Sequence, residues 1–208
     1  MTKVLQSHFD KRGMSELPRA VFDGQIIVIQ SEQEAKKAVK YLLSQPLLGL
    51  DTETRPSFKK GQLNEVALLQ VSTHETCFLF RLNQIGIPAC IVRLLSDENV
   101  LRVGLSWHDD QTSLCRRKKF DMKVLDLQTY VKELGIQYMS LQKLYANIFG
   151  RYISKRQQLS NWERDVLSDA QKVYAATDAW ACLMLYEEMH RLRESGDYRL
   201  VSDEELQS

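Results

Sequence analysis

The 208-residue chain lacks an excess of charge of either sign: 28 lysines and arginines face 27 aspartates and glutamates, for a formal net charge of +1. A global field that would gather a polyanion is therefore absent, and any nucleic-acid contact must rest on local basic patches. Paired cysteines are lacking too. Cys77, Cys90, Cys115 and Cys182 stand at wide, irregular spacings without a C-x-x-C pair, which argues against a structural zinc or a disulfide framework and for incidental thiols in a reducing compartment. His8, His74, His108 and His190 include no i, i+4 pair, so the paired-histidine zinc site of a metalloprotease is excluded. No apolar run approaches membrane-spanning length, and the N-terminus has neither a long apolar stretch nor a small-residue cleavage pattern. The expectation is a soluble cytoplasmic protein without a membrane partner.

What is present suffices for one domain with a sizeable core. Residues 1–24 are polar and mixed in charge, broken by Gly13 and Pro18, and read as an arm that packs loosely or stays mobile; residues 25–194 carry the periodic segments; residues 195–208 read as an acidic tail that frays. Ile26 to Ile29 is a short β-branched strand, and Ser31 with Glu34 forms a capping box opening a helix through about Ser44. Val66–Ser72 and Thr76–Phe80 read as two strands of an antiparallel hairpin beside a strand that begins at Leu47. Further helices are expected over Pro88–Leu95, Leu127–Leu134, Leu141–Phe149 and, last and longest, about Ser168–Glu194. The segment Arg151–Asn161 is polar and basic and reads as a loop able to lie over a site.

The chain is organised around Leu47-Leu48-Gly49-Leu50-Asp51-Thr52-Glu53, a buried-strand pattern that ends abruptly in two carboxylates. Side chains in a strand alternate faces, so Asp51 and Glu53 point the same way and Thr52 the other. Two anions this close raise each other's proton affinity unless a cation lies between them. The following loop holds Arg55, Phe58, Lys59 and Lys60, cations for phosphates and a ring for a base. Asp109 and Asp110 lie just past another buried strand, Val100–Leu105, where open sheets place their sites, although acids opening a helix also serve as caps. In the last helix Asp178 is the only charge between Lys172 and Glu187. A buried carboxylate there requires a cation, and Tyr174 stands one turn earlier on the same face. Carboxylates without histidine select hard divalent ions, Mg²⁺ or Mn²⁺. Two such ions fit phosphodiester cleavage, one activating the attacking water and the other neutralising the leaving oxygen.

Asp51-Thr52-Glu53, then Asp110 with Leu114, then Tyr174-Ala175-Ala176-Thr177-Asp178 resemble the three motifs of the DEDD superfamily of 3′-5′ exonucleases, in its tyrosine-bearing branch, with the Werner-type exonuclease domain the nearer likeness and ribonuclease D and the DNA polymerase I proofreading domain more distant. The flanking texts Val66-Ala67-Leu68-Leu69-Gln70 and Ser160-Asn161-Trp162 extend the resemblance from about Ile26 to Met189. It implies an α/β, RNase H-like (DnaQ-like exonuclease) fold: a central mixed sheet, its first three strands antiparallel, with helices on both faces. It implies that Asp51 bridges two divalent ions, that Glu53 and Asp178 hold the first and Asp110 the second, and that Tyr174 orients the nucleophile and the scissile phosphate. Asp110 fits the motif register, leaving Asp109 as the helix cap. Thr52, Arg55, Phe58, Lys155 and Arg156 fall where family members touch the substrate strand. The function implied is 3′-5′ hydrolysis of DNA at a single-stranded 3′ end, releasing nucleoside 5′-monophosphates. Ribonuclease D-like trimming of RNA is the alternative, and a non-catalytic nucleic-acid-binding module the second.

Overall fold

The computed structural model describes residues 2–57, 59, 61, 63–138 and 140–202. The capping box forms as the sequence predicts: the Ser31 hydroxyl accepts from the Glu34 N–H, and the Glu34 carboxylate accepts from the Ser31 N–H. It opens helix α1 (Glu32–Leu42), which buries Ala35, Ala38, Val39 and Leu42. Six strands form a mixed sheet in the order β2 (Gln25–Ile29), β5 (Thr76–Phe80), β4 (Val66–Ser72), β3 (Leu47–Thr54), β6 (Leu101–Gly104) and β7 (Leu125–Asp126). β3, β4 and β5 are antiparallel to one another in turn. β2, the first of the six in sequence, instead pairs in parallel with β5 at the sheet edge, which corrects the expected direction of the first three strands. α1 is a crossover from β2 to β3, and a helical crossover joins parallel strands.

The sheet is buried on both faces. Leu48, Leu50, Leu69, Val71, Phe78 and Phe80 pack on one face with α1, α3 (Ala89–Ser96) and the start of α4 (Trp107–Arg117). The short α2 (Leu82–Ile85) leads into α3. On the other face Leu68, Cys77 and Leu79 meet Ala175, Ala176 and Ala179 of α7 (Asp169–Ser195), flanked by α5 (Gln128–Glu133) and α6 (Leu141–Phe149). This long helix lies very close to β3. A Cβ added to Gly49 would collide with the Ala179 carbonyl oxygen and come within 3.0 Å of Leu183 backbone nitrogen. Neither atom can swing aside, so Gly49→Ala is expected to cost about 3 kcal/mol or more and to lower the melting temperature by roughly 6–12 °C for a chain of this size. A shift under about 2 °C in thermal denaturation would show that α7 yields easily.

Arm and tail, expected to be loose, pair with each other. β1 (Lys3–Gln6) runs parallel to β8 (Tyr198–Val201) as a separate two-stranded sheet. Leu5 is wholly buried, Lys3 is ion-paired to Glu188, and the Asn147 amide exchanges two hydrogen bonds with the Gln6 backbone at 3.0 and 2.9 Å. Four-residue strands with a partner at the opposite end of the chain leave no local pattern to read.

Candidate active site

β3 carries Asp51 and Glu53 to the edge of the α7 face, and its pairing with β4 is irregular between Glu53 and Thr54. α7 begins at a second capping box, Ser168 with Gln171, and its dense small-residue packing brings Asp178 down onto the strand end. Ligand atoms of Asp51, Glu53 and Asp178 lie within 4.8 Å of one another. Asp51 is half-buried, Glu53 buried, and Asp178 only 3% exposed. Burial first, then mutual repulsion, pushes the Glu53 carboxyl up to about 10 and the Asp51 carboxyl well above the ordinary range. Burial likewise raises Asp178 to about 7, although the neighbouring phenol of Tyr174 and the charge of Lys155 both pull it down. The Oδ1 atom of Asp178 is buried with no hydrogen-bond partner. Three crowded carboxylates, one with an unused buried oxygen, fit a hard divalent cation: the donor set is all oxygen and anionic, and the cation removes the repulsion.

Tyr174 stands one turn before Asp178. Its ionisation is pushed above the ordinary range by burial and by Asp178, Glu53 and Asp51, so the phenol is a donor throughout the neutral range. Its ring lies 5.9 Å from that of the fully buried Trp162, at 35°. Gln171 ties this wall to the preceding loop, its amide donating to the Ser160 hydroxyl at 2.9 Å and the Asn161 carbonyl at 3.1 Å.

Asp110 faces the same strand end but is not one of the three clustered acids. The Thr52 hydroxyl donates to its carboxylate, and burial raises its acid to about 6 against that bond. Asp109 is exposed, and the expectation that it caps α4 is corrected. The carboxylate of Asp126 in β7 accepts from the backbone N–H groups of Ser106, Trp107 and Gln128 at 2.9–3.0 Å and closes that helix end from a distance. Ser106 itself holds a left-handed conformation, φ 56°, the one non-glycine with positive φ among the described residues. Such strain at the lip of a cavity is held by its surroundings, here Asp126 and the Gln128 amide at 2.7 Å from its hydroxyl.

A cavity of about 300 Å³ opens over the acids, lined by Asp51, Thr52, Glu53, Ser106, Tyr174 and Asp178 with Ser140, Gln142, Lys155 and Gln158. Thr52 and Lys155, two of the residues expected at substrate, therefore border the acids, although the Thr52 hydroxyl is committed to Asp110. A second cavity of about 550 Å³ shares Glu53 and Gln158 with the first and holds Arg55, Asn64, Ser113, Arg116, Leu63 and Leu159. Arg55 is ion-paired to Glu163 at 3.1 Å along its wall. Arg156 is exposed and borders neither cavity, and Phe58 lies outside the described residues. Sequence reasoning missed Ser140, Gln142, Gln158 and Arg116. The first three come from turns or a helix start with no motif of their own, whereas Arg116 stands in the run Arg116-Arg117-Lys118-Lys119, which in the sequence reads as a solvated face with phosphate contact the lesser alternative.

The family described as 3′-5′ exonuclease matches residues 26–193. Mouse bifunctional 3′-5′ exonuclease/ATP-dependent helicase WRN is 29% identical over 161 residues, covering 72% of this chain and 11% of that protein. The chain thus spans a small part of that relative's length. Among solved structures, the Nibbler EXO domain of Aedes aegypti superposes with a TM-score of 0.74 at 20% identity, covering 82% of this chain and 89% of that one. Escherichia coli RNase D superposes with a TM-score of 0.73 at 18% identity, covering 83% of this chain and 46% of that one. Both share the fold, a central mixed sheet with helices on both faces.

Proposed function

The chain belongs to the 3′-5′ exonuclease family, and from that premise we propose that it hydrolyses phosphodiester bonds at the 3′ end of DNA, releasing nucleoside 5′-monophosphates, with two divalent ions, Mg²⁺ or Mn²⁺. The observation that carries this reading is the convergence of Asp51, Glu53 and Asp178 on one point beside a protonated tyrosine in an open cavity. Bound divalent ions supply an activated water at neutral pH and neutralise charge on the phosphate. The chain's own residues do the rest. Asp51, Glu53 and Asp178 hold the ions, and Asp110, kept in place by Thr52, completes the set. Tyr174 donates its hydroxyl proton as a hydrogen bond to the water or the scissile phosphate. Lys155 sets a positive charge beside Asp178 on the phosphate side of the cavity. The adjoining cavity, with Arg55 and Arg116, receives the strand behind the terminal nucleotide.

DNA is favoured by the Werner-type likeness of the three motifs and by the 29% identity to WRN over 161 residues. The RNA reading is favoured by the polar rim of Ser106, Ser140 and Gln142, groups suited to a 2′-hydroxyl. The test is shortening of 5′-labelled single-stranded DNA, 3′-recessed duplex and RNA of the same sequence, with Mg²⁺, with Mn²⁺ and with EDTA. A ladder receding from the 3′ end, lost in EDTA and faster on DNA, is expected. Faster cleavage of RNA would transfer the assignment to RNA, and no shortening of any strand with either metal would overturn the hydrolytic reading in favour of a binding module.

A further inference from the structure

Gln70 is wholly buried in the centre of β4, and neither Oε1 nor Nε2 of its amide has a hydrogen-bond partner. A buried amide without partners costs about 1–3 kcal/mol, so this position works against the stability of the core around it. The sheet register says what the amide lies beside. Gln70 is directly opposite Asp51 on β3 and opposite Leu79 on β5. Directly opposed residues of antiparallel strands share a face and hold their Cβ atoms about 5 Å apart, within reach of a glutamine side chain. Along β4 the same-face neighbours are Leu68, which is apolar, and Ser72, whose hydroxyl already donates to the Thr73 carbonyl at 2.8 Å. A serine hydroxyl that donates can still accept, but the carboxylate of Asp51, directly opposite, is the charged acceptor and makes the stronger hydrogen bond.

We propose that Gln70 is a positioning residue for the metal site, its Nε2–H group fixing the Asp51 carboxylate in the orientation that grips a divalent ion; this rests on the metal-binding reading above. Metal-ligating carboxylates are commonly oriented by a hydrogen bond to the oxygen that faces away from the ion, and loss of such a partner typically weakens metal binding or activity by about 10–100-fold. Nε2 gains this partner when the site is loaded and lacks it when the site is empty. Gln70 then destabilises the empty protein and strengthens the loaded one.

Two variants read this out. Gln70→Met preserves length and volume but removes the donor, and Gln70→Asn keeps the amide but draws it back by one methylene. Mn²⁺ binding, followed by calorimetry without nucleic acid, and the melting temperature in EDTA are measured for both and for wild type. Gln70→Met is expected to bind Mn²⁺ about 10–100-fold more weakly while melting at or above the wild-type temperature in EDTA, because an apolar group of the same shape replaces an unpartnered one. Gln70→Asn is expected to weaken Mn²⁺ binding likewise. Unchanged Mn²⁺ affinity in both variants would overturn the positioning role, and so would a lower melting temperature of Gln70→Met in EDTA with unchanged affinity, the signature of a packing residue. No saturable Mn²⁺ binding by wild type would instead overturn the metal reading on which the inference stands.

Discussion

Asp178→Asn is expected to slow 3′-end hydrolysis by at least about 10³-fold and, in EDTA at pH 8, to raise the melting temperature. The two signs have one cause. Asp178 is 3% exposed, its Oδ1 lacks a partner, and it shares a space under 5 Å across with Asp51 and Glu53. Its charge, held without a cation in a buried site, opposes folding, and removing it relieves on the order of a few kcal/mol above its native pKa of about 7. The same charge is needed to hold a cation, and loss of roughly 4 kcal/mol of transition-state stabilisation is a 10³-fold loss of rate. A residue that merely packs moves stability and activity in one direction. Turnover above a tenth of wild type, or a melting temperature in EDTA below wild type, would refute the assignment of Asp178 to the metal site.

Asp178 was legible because an isolated charge in an apolar helix has no bland explanation. Asp51 and Glu53 were legible as a pair because strand alternation alone puts them on one face. α1 was readable from Ser31 and Glu34, since a capping box is complete within four residues. Features built from distant parts of the chain were not readable. Asp126 caps α4 from 19 residues away, and β1 finds β8 across nearly the whole length. Arg81 and Arg102 look like surface cations in the sequence, yet both are buried and donate to backbone carbonyls: Arg81 to Asp165 and Arg164, Arg102 to Leu94, Asp97 and Lys123. Arg81 thereby anchors the turn that follows Trp162. Lys155, in the loop read as a cover for the site, borders the same cavity and lowers the Asp178 acid by its charge without an ion pair, so the partner that the buried carboxylate demands is left to a bound metal ion. The choice between Asp109 and Asp110 turns on helix phase, one facing water and the other Thr52, which neighbouring positions in a short segment do not reveal.

The metal-free protein is expected to lose stability steadily as pH rises from 5 to 8, and millimolar Mg²⁺ or Mn²⁺ to restore it most at the upper end. The sign follows from proton counts. Asp110, Asp178 and Glu53 hold their protons in the folded state to about pH 6, 7 and 10 respectively, and Asp51 well above its ordinary value, whereas unfolded aspartate and glutamate release theirs near 3.8 and 4.5. Between those limits the folded chain binds more protons than the unfolded one, so unfolding becomes easier with each rise in pH. Groups that work the other way act elsewhere: Glu188, its carboxyl held down by Arg191 and Lys3, loses its contribution only as pH falls below the ordinary glutamate range. Cys77 and Cys182 add to the decline only where unfolded thiols ionise, near pH 9, which is why the window closes at 8. A divalent ion binds the ionised carboxylates and competes with protons, so its stabilisation grows with pH, reaching about 2.7 kcal/mol at a concentration 100 times its dissociation constant. Melting curves at intervals of pH, each in EDTA and with metal, give both slopes. A flat or rising profile in EDTA would mean that the four acids are not buried in solution as they are in the fold, and the case for a cation held among them would fall with it.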